Sequence, residues 1–133
     1  MPRVLVVDDQ ADVRAIIAIV LRVQQFEIVE AASASEGLKA FGDSRFDVAI
    51  VDIFLKEESG ADVIAAMRER KPDLPVVAIS GMTALDFVSD SPELSNVVCL
   101  RKPFRANELL RAIEAARVSV RQSAPGVMEA ARL

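Results

Sequence analysis

Apolar residues in this chain fall in short unbroken runs, separated by longer stretches of three- and four-residue periodicity. Four runs stop abruptly at polar residues: Val4-Leu5-Val6-Val7 at Asp8-Asp9, Val48-Ala49-Ile50-Val51 at Asp52, Val76-Val77-Ala78-Ile79 at Ser80, and Val97-Val98-Cys99-Leu100 at Arg101-Lys102. Continuous runs of this length, rich in β-branched residues, suit strands of a parallel sheet covered on both faces. Residues 26–30 instead intersperse charged side chains among apolar ones, the pattern of an edge strand with one wet face.

The stretches between the runs read as helices. Val13, Ile16, Ile17, Val20 and Leu21 form one apolar stripe on a first helix. Ser33 or Ser35 is placed to cap a second helix carrying Leu38 and Phe41, with Gly42 placed to end it. A third helix beyond Gly60 carries Val63, Ile64 and Met67, and Pro72 closes it. A shorter helix is expected from about Thr83, with Leu85, Phe87 and Val88. The last carries Leu109, Leu110, Ile113 and Val120 from a start at Asn107. Five βα repeats predict an α/β fold: a doubly wound, flavodoxin-like five-stranded parallel sheet with right-handed crossovers and strand order 2-1-3-4-5.

In such sheets the ligand crevice lies outside the carboxyl ends of the strands. Placed side by side, the runs bring Asp8, Asp9, Asp52, Ser80 and Lys102 to one rim. Adjacent carboxylates repel, so Asp8-Asp9 held at a strand end calls for a cation. Mg²⁺ suits it, because it takes hard oxygen ligands and works with one or two carboxylates plus a phosphate. A polar loop without function remains the simpler reading of that pair alone, and Asp52 weighs against it. Asp52 could serve as both metal ligand and nucleophile, since an aspartate forms an acyl phosphate when a metal and a cation neutralise the incoming group. Lys102 would supply the cation as a point charge. Ser80 would donate its hydroxyl to a phosphoryl oxygen, a role compatible with capping the helix that follows.

The remaining composition narrows the class. At 133 residues, 52% hydrophobic and 27% charged, the chain is one domain with ample core material. Its net charge of −4 offers a polyanion no attraction, so direct nucleic-acid binding is not expected. A single cysteine, Cys99, excludes an internal disulfide and fits a reducing compartment. The first apolar run is too short for a secretory signal, and no run approaches the roughly 18 apolar residues of a membrane span. A soluble cytoplasmic protein without membrane association is therefore expected. From Ser119 the pattern loosens, which divides the chain into a domain at 1–120 and a short extension at 121–133. The extension, with a short helical pattern at 127–133, reads as a frayed end.

Four motifs in order, Val6-Val7-Asp8-Asp9, Asp52 with Gly60 eight residues on, Ile79-Ser80-Gly81 and Lys102-Pro103-Phe104, resemble the receiver domain of two-component response regulators, in its stand-alone (CheY-like) form. The resemblance covers residues 3–120. It implies that Asp52 is the phosphoacceptor and that Asp9 and Asp52 bind Mg²⁺ directly. Asp8 would act mainly through water, and the main-chain carbonyl of Phe54 would complete the ligand set. Ser80 and Lys102 would hold the phosphoryl oxygens, and the Lys102-Pro103 bond would be cis. The implied phosphodonor is a sensor histidine kinase or a histidine phosphotransfer protein. A downstream protein target goes unnamed, and a phosphorylation-dependent homodimer is compatible. No enzymatic activity is implied beyond Mg²⁺-dependent self-phosphorylation and autodephosphorylation.

Three positions depart from the family pattern. Cys99 stands where a tyrosine or phenylalanine is usual, Ser95-Asn96 where a small Gly-Ala pair is usual, and Lys56 where the loop after the phosphoacceptor often has proline. Cys99 reads as a small core residue, since nothing local activates its thiol. Without the ring, a phosphorelay intermediate or phosphate sink competes with a diffusible effector. Two other classes fail on residue chemistry. An aspartate-nucleophile phosphohydrolase wants a second aspartate where this chain has Phe54. A flavodoxin-like FMN carrier wants a phosphate loop where Asp8-Asp9 would repel the phosphate.

Overall fold

Five strands, β1 (Arg3–Val7), β2 (Glu27–Ala31), β3 (Val48–Asp52), β4 (Val76–Ser80) and β5 (Val98–Arg101), pair in parallel in the order β2-β1-β3-β4-β5. The structure is a computed structural model and describes residues 1–56, 58–81 and 96–123, with the side chains of 121–123 left aside. Among the described residues four helices accompany the strands: α1 (Ala11–Val23), α2 (Ala34–Asp43), α3 (Gly60–Arg70) and α4 (Ala106–Ser123). The helix expected near Thr83 and the 127–133 stretch lie outside the described residues.

Strand pleating sorts the apolar runs onto two faces, as alternate side chains must. Leu5, Val7, Ala49, Val51, Val76 and Ala78 pack under α2 and α3, against Phe41, Val63, Ile64 and Met67. Val4, Val6, Ile50, Val77 and Ile79 pack under α1 and α4, against Ile17, Leu21, Leu109 and Ile113. β3 and β4 are buried at every position, whereas β2 and β5 are partly open, which matches their places at the sheet edges.

The helix ends follow local chemistry, with three corrections to the sequence reading. Ser33 caps α2 by accepting the Glu36 N–H at 3.2 Å, but α2 runs through Gly42 to Asp43. No glycine in the described residues has positive φ, so Gly42 does not act as a left-handed stop. α4 starts at Ala106 rather than Asn107, because the Glu108 side chain reaches back to the Arg105 N–H at 2.8 Å. On α1, Ile16 leaves the predicted stripe: it is 53% exposed, in line with Ile19 and Val23, while Ile17 and Leu21 point inward. α1 ends where the sequence gives no glycine. Gln25 takes φ 65°, its N–H bonds Arg22 O at 3.0 Å and the Phe26 N–H bonds Leu21 O at 2.9 Å, a Schellman pair.

Candidate functional site

The register aligns Val7 with Val51, Asp52 with Ile79, and Ser80 with Arg101, so the strands end together. Asp8, Asp52, Ser80 and Lys102 thereby meet at the rim that the apolar runs point to. Asp8 and Ser80 are fully buried and Asp52 is 4% exposed, although all three are polar. Polar groups buried this deeply need partners.

Asp8 is held through its backbone, through Oδ1 and through one ion pair. Its Oδ1 accepts the Gln10 N–H at 2.8 Å, and its Oδ2 stands 2.9 Å from Lys102 Nζ. Its own N–H donates to Ala31 O at 3.1 Å, and its carbonyl accepts from Arg14 Nη1 at 2.6 Å. The Arg14 guanidinium also pairs with Glu30 on β2 at 3.3 Å, which ties the loop after β1 to the neighbouring strand.

Asp52 is fixed by the turn that follows it. Oδ1 accepts the Phe54 N–H at 2.9 Å, and Oδ2 faces Lys102 Nζ at 3.1 Å. Phe54 bridges to Ser59, and the Gly60 N–H donates to Ile53 O at 2.9 Å, so the chain folds straight back beneath the carboxylate. Gly60 is required there, because a Cβ would overlap the Asp52 carbonyl oxygen and lie 2.7 Å from Ile53 Cα. Ser59, immediately before it, caps α3 through the Ala61 N–H at 3.1 Å.

Lys102 joins the two carboxylates. A third bond runs to Gln10 Oε1 at 2.9 Å, and the Lys102 N–H donates to Ser80 O at 2.7 Å. The Lys102-Pro103 peptide is cis. Burial pulls the ammonium pKa down, but hydrogen bonds and charge from Asp8 and Asp52 outweigh it, and the net shift is upward from 10.5. Burial pushes the Asp8 carboxyl above 3.8, and the Asp52 charge adds to this. The Gln10 N–H and the Lys102 ammonium oppose it without cancelling it.

Asp8, Asp9 and Asp52 each offer one oxygen, and these three lie within 4.8 Å of one another. Three carboxylates against one ammonium leave two net negative charges, which one divalent cation neutralises. Asp8 Oδ2 is buried and, among the described residues, accepts no hydrogen bond of good geometry. An orphaned hard oxygen in an acidic cluster fits Mg²⁺. Beside Asp9 a cleft of about 210 Å³ opens to solvent, lined by Ser33, Ser35, Leu55, Lys56 and Glu58.

Cys99 is half-buried opposite Ala78 on the edge strand β5 rather than in the core, and burial pushes its thiol pKa up. Gln10 escaped the sequence reading. The available signal was a glutamine at a helix N-cap, a position that shorter side chains usually fill.

Comparison with known proteins agrees with this geometry. The sequence profile of the response regulator receiver domain matches residues 4–114. The transcriptional regulatory protein PrrA of Mycobacterium tuberculosis is 34% identical over 114 residues, covering 86% of this chain and 49% of that protein. The chain thus spans about half the length of that curated relative. The chemotaxis protein CheY of Listeria monocytogenes is 29% identical over 117 residues, covering 87% of this chain and 98% of that one. Among solved structures, a response regulator receiver domain protein from Clostridium thermocellum superimposes with a TM-score of 0.81 at 28% identity, covering 93% of this chain and all of that one. CheY4 of Vibrio cholerae gives 0.82 at 25% identity, over 87% of this chain and 98% of that one.

Proposed function

The chain belongs to the response regulator receiver family, and on that premise we propose that Asp52 accepts a phosphoryl group from a phosphohistidine of a sensor histidine kinase or histidine phosphotransfer protein. The observation that carries the reading is the Lys102 ammonium held between Asp8 and Asp52 at 2.9 and 3.1 Å, across the ends of three strands. In the transfer, an Asp52 carboxylate oxygen forms the new O–P bond as the N–P bond breaks. The bonding electron pair stays on the departing imidazole nitrogen. Lys102 then transfers one hydrogen bond from Asp52 to a phosphoryl oxygen, and the Ser80 hydroxyl donates to another. Two groups already fixed by main-chain bonds do this with little reorganisation.

Asp9 and Asp52 would hold Mg²⁺ directly, with Asp8 acting through water and the Phe54 carbonyl completing the set. The ion would neutralise the phosphoryl oxygens and the crowded carboxylates. Beyond Mg²⁺-dependent self-phosphorylation and autodephosphorylation the domain is not an enzyme. It acts in the cytoplasm, and its phosphorylation state changes its affinity for a protein target. No helix among the described residues is long and apolar enough to cross a membrane. With Mg²⁺ and acetyl phosphate, intact mass rises by one phosphoryl group in the wild type and stays unchanged in Asp52→Asn. Undiminished phosphorylation of Asp52→Asn removes the proposal.

Cys99 favours a second reading, a phosphorelay intermediate or phosphate sink. A small half-buried thiol on β5 has no ring to swing between two faces, and passing a phosphoryl group onward needs the chemistry more than a ring-based readout. Transfer from phosphorylated Asp52 to a second histidine protein, faster than hydrolysis, would establish it.

A further inference from the structure

We infer that Gln10 is a positioning residue for phosphoryl transfer: it holds one hydrogen of the Lys102 ammonium, so that the charge stays in place when Asp52 gives up its share. The inference rests on Asp52 being the phosphoacceptor. Gln10 occupies the N-cap of α1, yet its side chain makes no capping bond. The first turn is served instead by the Arg14 N–H bonding Gln10 O at 3.1 Å and by Asp12 Oδ1 accepting the Val13 N–H at 3.0 Å. The Gln10 side chain turns away from its own helix and reaches a residue 92 positions later in the chain.

At the far end it completes a tripod. A lysine ammonium has three donors, and Lys102 Nζ faces three oxygens: it donates to Gln10 Oε1 at 2.9 Å and to Asp52 Oδ2 at 3.1 Å, and it stands 2.9 Å from Asp8 Oδ2 as an ion pair. Gln10 also orients the carboxylate of that ion pair, since its N–H holds Asp8 Oδ1 at 2.8 Å. One residue thus fixes the cation with its side chain and the cation's carboxylate partner with its backbone. Lysine is a flexible point charge with much rotamer freedom, so anchors outside the reacting carboxylate decide where it sits. When Asp52 becomes an acyl phosphate, its own oxygen ceases to be a charged acceptor and Lys102 turns that bond toward a phosphoryl oxygen, so the ammonium must be held from the protein side by other groups. Asp8 and Gln10 are the anchors that remain.

Two variants separate positioning from helix capping. Gln10→Met keeps the side-chain length and removes the acceptor. Gln10→Ser supplies a good cap that cannot reach Lys102. With acetyl phosphate and saturating Mg²⁺, both are expected to phosphorylate about three- to tenfold more slowly, the range that one hydrogen bond of ordinary net strength supports. Gln10→Ser is expected to melt at a higher temperature than the wild type at the same time. In both variants the Lys102 ammonium resonance, followed by ¹⁵N NMR, should exchange faster with water. A role confined to starting α1 predicts the reverse coupling, a stable and fast Gln10→Ser. Wild-type rates in both variants overturn the inference. Asp52→Asn in the same assay keeps the two questions apart, because it reports on the phosphoacceptor alone.

Discussion

The main-chain N–H of Lys102 donates to the carbonyl of Ser80 across 2.7 Å, so the site's cation and its hydroxyl share one backbone link between β4 and the loop after β5. Neither can shift along its strand without moving the other. Lys102 carries that constraint to Asp52 and Asp8 through its side chain. Displacement of Ser80 toward a bound phosphoryl group would therefore be felt at the ammonium.

The acidic cluster sets an order of metal affinities. Asp9 is proposed as a direct ligand and Asp8 as a water-mediated one, with Asp8 already engaged by the Gln10 N–H and Lys102. Asp9→Ala is expected to weaken Mg²⁺ binding more than Asp8→Ala in a fluorescence or calorimetric titration. Equal affinities for the two variants would show the roles to be wrongly divided.

Burial raises the Asp8 pKa above 3.8, so the folded protein holds this proton more tightly than the unfolded chain. The stability that Asp8 contributes is full below 3.8 and is lost as pH rises through its folded pKa. Metal-free Asp8→Asn should accordingly melt above the wild type at pH 7, with the gap closing as the pH approaches 4. Lys102 acts at the other end of the scale. Its contribution is full below 10.5 and is lost as pH rises through its elevated pKa. A gap in melting temperature that widens on acidification would reverse the sign argued for Asp8.

Phe54 is a large apolar side chain left 43% exposed two residues after the nucleophile. It can flank the approach of an in-line water but cannot orient one by hydrogen bonding; Met82, expected to flank the other side, lies outside the described residues. Slow autodephosphorylation is expected, and Phe54→Asn or Phe54→Glu should speed it. Each tenfold gain corresponds to about 1.4 kcal/mol in the transition state. Unchanged decay of the phosphorylated protein in both variants would mean that this side chain does not govern water entry.

Gly60 leaves no space for a methyl group beneath the Asp52 carbonyl. Gly60→Ala must push β3 and the start of α3 apart, at a cost of roughly 2–3 kcal/mol in urea unfolding. Because the shift is centred on Asp52, phosphorylation by acetyl phosphate should slow as well. A loss below roughly 0.5 kcal/mol would mean that the turn relaxes freely.

Gln25 holds a left-handed conformation that glycine adopts without strain. Gln25→Gly is expected to stabilise the fold by about 0.5–1 kcal/mol, with phosphorylation unaffected, since α1 ends at the opposite edge of the sheet from the site. A destabilised Gln25→Gly would show that the Gln25 side chain contributes more than its backbone strain costs.

The strands, their parallel order and the rim chemistry were legible in the chain because burial on both faces forces continuous apolar runs. Only a strand end allows such a run to stop at a carboxylate, a hydroxyl or an ammonium. Pattern alone therefore assigns Asp8, Asp52, Ser80 and Lys102 to one edge. Gly60 was legible as part of a motif, but its reason, a backbone approach too close for a Cβ, was not. Periodicity placed α1 correctly yet misassigned Ile16, because a helix with apolar residues on two faces has no single stripe and only packing selects the buried one. The end of α1 at Gln25 and the continuation of α2 through Gly42 escaped for a related reason. Residue type biases a helix end, and tertiary packing decides it.

The sequence by itself determined the fold class, the strand order and which side chains reach the crevice, since all three follow from short-range pattern and from the handedness of βα units. Only the tertiary structure decided how those side chains divide their bonds. The Lys102 ammonium between Asp8 and Asp52, its third contact to Gln10, and the Arg14 bond to the Asp8 carbonyl depend on separations of a few ångström. Hydrogen bonds weaken steeply over such distances, whereas apolar patterning tolerates them. Partners brought together by strand register leave no trace in local spacing, and for that reason Gln10 became visible only in the folded chain.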